Sequence, residues 1–202
     1  NFTYKVTDAN GNTATGTITV DIVDDIPSAG DQSITVDAGT VVGTNLLITL
    51  DVSGSMNDPS GVDGKTRLDL AKDSLEDLIQ AYEDNGPVMV RLVTFSSSST
   101  IVGDQWMTAD DVIAVINGLS AGGNTNYDAA INNAKAAFDD PGAIAGAQNI
   151  SYFLSDGQPN APYGSVGINA AEQASWETFL ANNDITSFAL GMGTGVTTSN
   201  LA

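Results

Sequence analysis

The chain has 202 residues, of which 42% are hydrophobic, enough for one full-sized core and a further fragment. Its 25 acidic and 6 basic side chains give a net charge of −19, which argues against binding to nucleic acids or anionic membranes, since both require a basic surface. No segment approaches the ~20 apolar residues that insertion across a bilayer requires. The chain has no histidine and no cysteine, the usual ligands of zinc and copper. A metal site here would therefore bind magnesium or calcium through oxygen atoms.

The first 23 residues are predicted to form a β-hairpin. Apolar side chains alternate along residues 2–6 and again along 15–22, and the segment 8–12 between them contains Gly11, which supplies the positive φ that such a turn requires. An isolated hairpin is marginally stable in water. We therefore expect residues 1–30 to be the C-terminal hairpin of a β-sandwich repeat, followed by a linker.

From residue 45 onward, predicted strands alternate with predicted helices. Apolar runs predict strands at 46–50, 88–95, 150–154 and 185–190, with 100–102 returning as an antiparallel edge strand. Helical periodicity and capping residues predict helices at 66–84, after Thr108, at 127–138 and at 169–182. The last of these is expected to present Ala171, Ala174, Phe179 and Leu180 on an apolar face. This alternation predicts a doubly wound α/β fold, in which helices cover both faces of a mostly parallel sheet.

Three remote segments carry oxygen-bearing side chains next to predicted strands or helices. Asp51-Val-Ser-Gly-Ser55 follows the first buried strand, and Ser155-Asp156-Gly157 follows the strand at 150–154. Thr125 lies in a Gly-rich loop before a helix. Each segment alone is more often an ordinary turn or helix cap. The carboxyl ends of parallel strands meet at one edge of a sheet, so we expect the three segments to converge there.

The chemistry of these side chains predicts a divalent-cation site. Two carboxylates balance the charge of a dication, and hydroxyls add coordination without further charge, which leaves a position for water or for an incoming acidic ligand. The candidate metal ligands are Asp51, Ser53, Ser55, Thr125 and Asp156.

This set of residues resembles the metal-ion-dependent adhesion site of the von Willebrand factor type A domain, a family that includes the inserted domains of integrins. The family pattern is Asp-x-Ser-x-Ser, then a threonine in a Gly-rich loop, then an aspartate in a Ser/Thr-Asp-Gly turn, and the chain matches all of it within about residues 45–202. The resemblance implies that Ser53 and Ser55 contact the metal directly and that the two aspartates act largely through bound waters. It implies that Thr125 joins the coordination shell in a high-affinity state.

The same resemblance implies an adhesion module rather than an enzyme. One Mg²⁺ or Ca²⁺, with Mn²⁺ as a further option, would bind an acidic group of a protein or surface ligand, and a monomer is favoured. We expect the type A domain to occupy residues 31–202. In the family another strand and a last helix follow the segment that is Gly191-Met-Gly193 here, so this piece is expected to lack them.

The N-terminal segment resembles the immunoglobulin-like or cadherin-like repeats of giant bacterial RTX adhesins. The resemblance is carried by Tyr4–Asp8 and by the Asp-Asp-x-Pro junction at Asp24–Pro27. It implies type I secretion as part of a longer chain, a place on the bacterial surface and a role in biofilms. Further calcium would bind near Asp24 and Asp25, although a solvated acidic linker explains these two residues equally well.

Other functions remain open at this level. Gly64-Lys65-Thr66 is similar to the end of a phosphate-binding loop, but Pro59 occupies the position of the first required glycine. A phosphatase with a strand-end aspartate nucleophile would need a second aspartate where Ser53 stands. A spacer stiffened by calcium and an intracellular metal-dependent assembly domain are the two non-adhesive alternatives.

Overall fold

The computed structural model describes residues 2–18, 42–157, 159–161 and 167–193. The chain divides into two compact units, Asn1–Asp37 and Ala38–Ala202. In the first unit, β1 (Phe2–Thr7) pairs antiparallel with β2 (Thr13–Ile18). Gly11 has φ +85° in the turn between them. The predicted hairpin is therefore confirmed, whereas the end of its predicted second strand and the acidic pair Asp24 and Asp25 lie outside the described residues.

A five-stranded sheet forms the centre of the second unit. Its strands are β3 (Thr44–Asp51), β4 (Val88–Phe95), β5 (Ser99–Ile101), β6 (Gln148–Ser155) and β7 (Ile185–Gly191), in the spatial order β5-β4-β3-β6-β7. All neighbouring strands are parallel except β5, which is antiparallel to β4. Every residue of the central strand β3 is buried, which explains its continuous apolar run. The predicted mostly parallel α/β fold is confirmed.

Four helices accompany the sheet in the described ranges, and each begins after a polar capping residue. They are α1 (Arg67–Glu83), α2 (Ala109–Asn117), α3 (Tyr127–Phe138) and α4 (Ala170–Asn182). Thr66 and Asn169 form capping boxes at α1 and α4, and the side chains of Thr108 and Asn126 accept backbone N–H bonds at α2 and α3. None of these helices is long and apolar enough to cross a membrane.

Alternating side chains of β3 point into two separate apolar layers. Leu46, Ile48 and Leu50 belong to a cluster with residues of α1 and α2. Leu47 belongs to a second cluster, which contains Val93 of β4, Ala134 and Ala137 of α3, and Trp106. Helices therefore cover both faces of the sheet, and the carboxyl ends of β3 and β6 are left for the site.

The expected apolar face of α4 is wrong in part. Ala171 and Ala174 are exposed, and no residue of this helix is fully buried. Phe179 packs beside the cluster of Leu47 as expected, and Trp176, which was not expected on this face, packs beside the same cluster. The helix directly precedes β7, the outermost described parallel strand, where less of the sheet is available to cover it.

Candidate metal site

Two neighbouring parallel strands place the two candidate aspartates side by side. Leu50 of β3 pairs with Leu154 of β6, so that Asp51 ends β3 at the level of Ser155. Asp156 follows directly after β6. The convergence expected from the strand ends is therefore present in the fold.

The Gly-rich loop is bound to the Asp51–Ser55 segment through its backbone. Gly122 N donates to the carbonyl oxygen of Val52 at 2.8 Å, and Gly54 N donates to that of Gly123 at 2.9 Å. A Cβ on Gly54 would lie only 3.2 Å from the Gly123 oxygen, so a glycine at this position permits the close approach.

Four of the five predicted ligands form one hydrogen-bonded cluster. The hydroxyl oxygens of Ser53 and Ser55 lie 3.2 Å apart, and Ser55 Oγ donates to Asp156 Oδ1 at 2.8 Å. Asp51 Oδ1 accepts the backbone N–H of Ser53 at 2.7 Å. Asp51, Ser53 and Asp156 are each at most 1% exposed, whereas Ser55 is half-buried.

The fifth candidate, Thr125, is buried beside the segment that follows Asp156. Its backbone N–H donates to Asn160 Oδ1 at 2.8 Å, and its carbonyl oxygen accepts the N–H groups of Asn160 and Ala161 at 2.9 and 3.0 Å. Through its loop, Thr125 is linked to the Asp51–Ser55 segment as well. Asn160, which holds the threonine backbone in place, had no signal in the local sequence pattern.

The electrostatics of the cluster fit a bound cation. Burial raises the pKa of Asp51, and the Asp156 charge adds to that increase, while hydrogen bonds from Ser155 and Ser53 oppose it. Among the described residues, no basic side chain forms an ion pair with Asp51. Buried carboxylates are normally paired with a cation or bound to a metal. Asp51 has no such pair, and its surroundings offer only oxygen ligands.

The candidate metal ligands include only two charged side chains, Asp51 and Asp156. In the described part of the chain, no group of three or more His, Cys, Asp or Glu side chains comes together. Two carboxylates and the serine hydroxyls would therefore have to supply the ligands, a combination that suits a hard dication. The residues present fit such an ion.

A family model described as von Willebrand factor type A domain matches residues 46–158, more than half of the chain. The chain belongs to this family. Type A domains are usually binding modules rather than catalysts, and they typically bind protein ligands. No curated protein sequence matches the chain significantly.

Solved structures with a similar fold include three different proteins. They are a type A protein from Catenulispora acidiphila (20% identity, TM-score 0.61, covering 79% of this chain and 35% of that one), proximal thread matrix protein 1 from the mussel byssus with a zinc-occupied MIDAS motif (19%, 0.56, 80% and 39%), and the PilB minor pilin from Streptococcus sanguinis (15%, 0.53, 75% and 50%). At such identities the likeness shows the fold alone. The chain spans half or less of each of these proteins.

Two further residues contact the acidic cluster of this type A domain from behind. Ser155 Oγ donates to Asp51 Oδ2 at 2.6 Å, so both oxygens of Asp51 are bonded. The hydroxyl of Tyr127 lies 2.9 Å from Ser155 Oγ and donates to the Gly157 carbonyl oxygen at 2.7 Å. Burial raises the pKa of Tyr127 to about 12. From the sequence, Tyr127 was expected only as the start of a helix.

A third residue, Arg67, lies on the opposite side of the site. Its Nη1 donates to Asp156 Oδ2 at 2.7 Å, while the Ser55 hydroxyl donates to the other oxygen of the same carboxylate. The sequence did contain a signal for Arg67. A basic residue directly after a helix N-cap interacts unfavourably with the helix dipole, so its presence there indicates a role outside the helix.

The structure also bears on the phosphate-loop alternative. The ammonium group of Lys65 forms an ion pair with Asp73 of α1. An open groove of about 530 Å³ is lined by residues 61–66 together with Asn57 and Pro59. None of the five candidate metal ligands is among its lining residues.

Proposed function

We propose that this type A domain is a cell-surface adhesion module that binds an acidic group of a protein partner through one divalent ion, Mg²⁺ or Ca²⁺, with Mn²⁺ also accepted. The residues that would hold the ion are Asp51, Ser53, Ser55, Thr125 and Asp156. The observation that carries the proposal is the Asp51 carboxylate, which is fully buried, has no basic partner among the described residues and accepts bonds from the Ser53 N–H and the Ser155 hydroxyl.

Some of the side chains would supply negative charge to the ion, and others orient the ligands. Asp51 and Asp156 supply negative charge, and the bonds from Ser155 and from the Ser53 backbone fix the orientation of the Asp51 carboxylate. The Ser53 and Ser55 hydroxyls already face each other at 3.2 Å and present lone pairs without adding charge. When bound, the ion supplies an electrophilic position for a partner carboxylate.

The wider setting that we propose is a large bacterial RTX-type adhesin secreted by a type I route. Residues 1–30 would be the end of an immunoglobulin-like or cadherin-like repeat, and the type A domain would begin at residue 31. Calcium would bind near Asp24 and Asp25. The antiparallel hairpin at residues 2–18 supports this assignment.

The first experiment is calorimetric titration of metal-stripped protein with Mg²⁺, Ca²⁺, Mn²⁺ and Zn²⁺. Zn²⁺ is included because the mussel protein holds zinc in its MIDAS motif, although this chain has neither histidine nor cysteine. We expect saturable binding of one ion, abolished in Asp51→Ala and weakened in Thr125→Ala. Thr49→Ala is the matched control, because Thr49 is equally buried on β3 and its hydroxyl has no partner in the described structure.

The second experiment tests recognition of the acidic group. The protein is passed over a sensor surface that displays carboxylates and over an otherwise identical surface that displays amides, with the preferred ion or with EDTA. Metal-dependent binding to carboxylates alone supports adhesion. Metal binding that raises the melting temperature but gives no carboxylate binding favours the spacer function, and absence of metal binding in the unaltered protein refutes the proposal.

A further inference from the structure

The strongest unexplained feature near the site is the ion pair between Arg67 and Asp156. The Arg67 side chain is 17% exposed and that of Asp156 is 0% exposed, so the pair is largely shielded from solvent. Arg67 Nη1 bonds Asp156 Oδ2 at 2.7 Å, which leaves Oδ1 directed to the Ser55 hydroxyl. The guanidinium therefore sits outside the cluster of candidate ligands and orients one of them.

The surroundings of Arg67 indicate that its position is specified by the fold. It is the first residue of α1, where the partial positive charge of the helix N-terminus disfavours a cation. A Cβ on Gly193 would lie 2.9 Å from Arg67 Nε, so the chain after β7 passes close over the guanidinium. The exposed carboxylate of Asp58 lies 3.5 Å from Nη1, where solvent screens it more than Asp156.

Arg67 changes the charge of the site that the sequence alone suggests. Asp51 and Asp156 contribute two negative charges, and the nearby guanidinium offsets one of them. A dication would then leave the buried site with a net positive charge, instead of the neutral site expected from two carboxylates. The negative charge of a ligand carboxylate would restore neutrality. Electrostatic interaction energies are large in such a region of low dielectric constant.

We infer that Arg67 is a positioning and charge-setting residue, which weakens binding of the metal alone and makes the metal-loaded site selective for an anionic ligand. This inference rests on the proposed metal-dependent function. It adds that metal and carboxylate bind with positive coupling and that Arg67 sets the size of this coupling.

The test measures Mn²⁺ affinity by calorimetry in sodium chloride and in sodium acetate of equal ionic strength. Acetate is the carboxylate probe, and its own weak binding to Mn²⁺ in solution would reduce the apparent affinity, so a gain cannot arise from that source. The variants are Arg67→Gln, which loses the charge but keeps an N–H donor, and Arg67→Lys, which keeps the charge. Lys65→Gln is the matched control, because this nearby exposed cation pairs with Asp73 instead of a candidate ligand.

In the unaltered protein, acetate should increase the affinity for Mn²⁺. In Arg67→Gln, the affinity in chloride should rise roughly tenfold, as expected for removal of one unit charge near a dication, and the gain from acetate should shrink. Arg67→Lys and Lys65→Gln should behave like the unaltered protein. Melting in EDTA establishes that each variant is folded.

Unchanged or weaker Mn²⁺ binding by folded Arg67→Gln would overturn the inference and leave Arg67 a purely structural residue. The acetate comparison on the unaltered protein is an independent test, since no gain there overturns the inference even if the variant does not fold. Failure of the inference alone leaves both Asp51-dependent metal binding and metal-dependent binding to the carboxylate surface intact. Failure of the proposed function removes one or both of these from the unaltered protein, and the two results are therefore distinguishable.

Discussion

Replacing Ser155 by alanine tests whether the acidic cluster is held by the bond described behind it. Ser155 Oγ donates to Asp51 Oδ2 at 2.6 Å, and both residues are 0% exposed. A hydrogen bond to a charged group contributes about 1.5–3 kcal/mol, and a buried acceptor that loses its donor bears the cost of desolvation. We expect Ser155→Ala to lower the free energy of unfolding of the metal-free protein by about 2 kcal/mol.

Ser151 offers a matched control on the same strand. It is also 0% exposed, but its hydroxyl has no hydrogen-bond partner in the described part of the chain. Ser151→Ala removes the same atom and leaves a similar small void, so we expect a change of no more than about 0.5 kcal/mol, or a slight gain in stability.

The assay is thermal and urea unfolding of both variants in EDTA near neutral pH. For a domain of this size, a loss of about 2 kcal/mol corresponds to a decrease in melting temperature of about 4–8 °C. Ser155→Ala should also weaken metal binding, because the Asp51 carboxylate is then less well oriented. Equal effects of Ser155→Ala and Ser151→Ala would refute the reasoning, since they would show that the bond to Asp51 adds nothing beyond packing.

Asp51→Asn should abolish metal binding and alter the pH dependence of the metal-free protein. The folded state raises the pKa of Asp51 above its ordinary value of 3.8, so the stability contributed by this group is present at low pH and is lost as the pH rises through the raised pKa. The difference in unfolding free energy between Asp51→Asn and the unaltered protein, from urea titrations in EDTA, should therefore shift in favour of the variant as the pH increases; a pH-independent difference would contradict this. Gly123→Ala should cost about 1–2 kcal/mol because Gly123 has φ +87° and a Cβ there would lie 2.8 Å from Ser97 Oγ. Gly122→Ala is the control, since a Cβ at Gly122 meets nothing within 4 Å, and melting temperatures of the two variants that agreed would show that the loop adapts.

The sequence predicted the layers of the fold because local patterns determine them. The apolar run at 46–50 indicated a strand covered on both faces, and β3 is indeed buried throughout. The helix expected at 127–138 has those bounds in the structure. Helix α4 was less predictable, since its contacts depend on where it lies against the sheet edge and its own pattern specifies no face.

The candidate site shows the same division between local and tertiary information. The strand-end rule placed Asp51 and Asp156 together, and the register between β3 and β6 agrees with it. The strand-end rule could not find Tyr127 or the partner of Arg67, although an arginine at a helix N-terminus was itself a signal. Their contacts with Asp156 and Ser155 join residues 89 and 28 positions apart, and the direction of a side chain across such a distance is not encoded in a local pattern.

The strand β7 has a consequence for handling the protein in solution. Among the described strands it pairs only with β6, and its Phe188 and Leu190 side chains are 44% and 42% exposed. Exposed apolar side chains of this kind can pack against those of another molecule. The net charge of −19 keeps molecules apart over a screening length of about 10 Å at 0.1 M salt, and less at higher ionic strength. Concentrated protein should therefore remain dispersed in dilute buffer and begin to self-associate as salt is added, so colloidal behaviour is set by ionic strength.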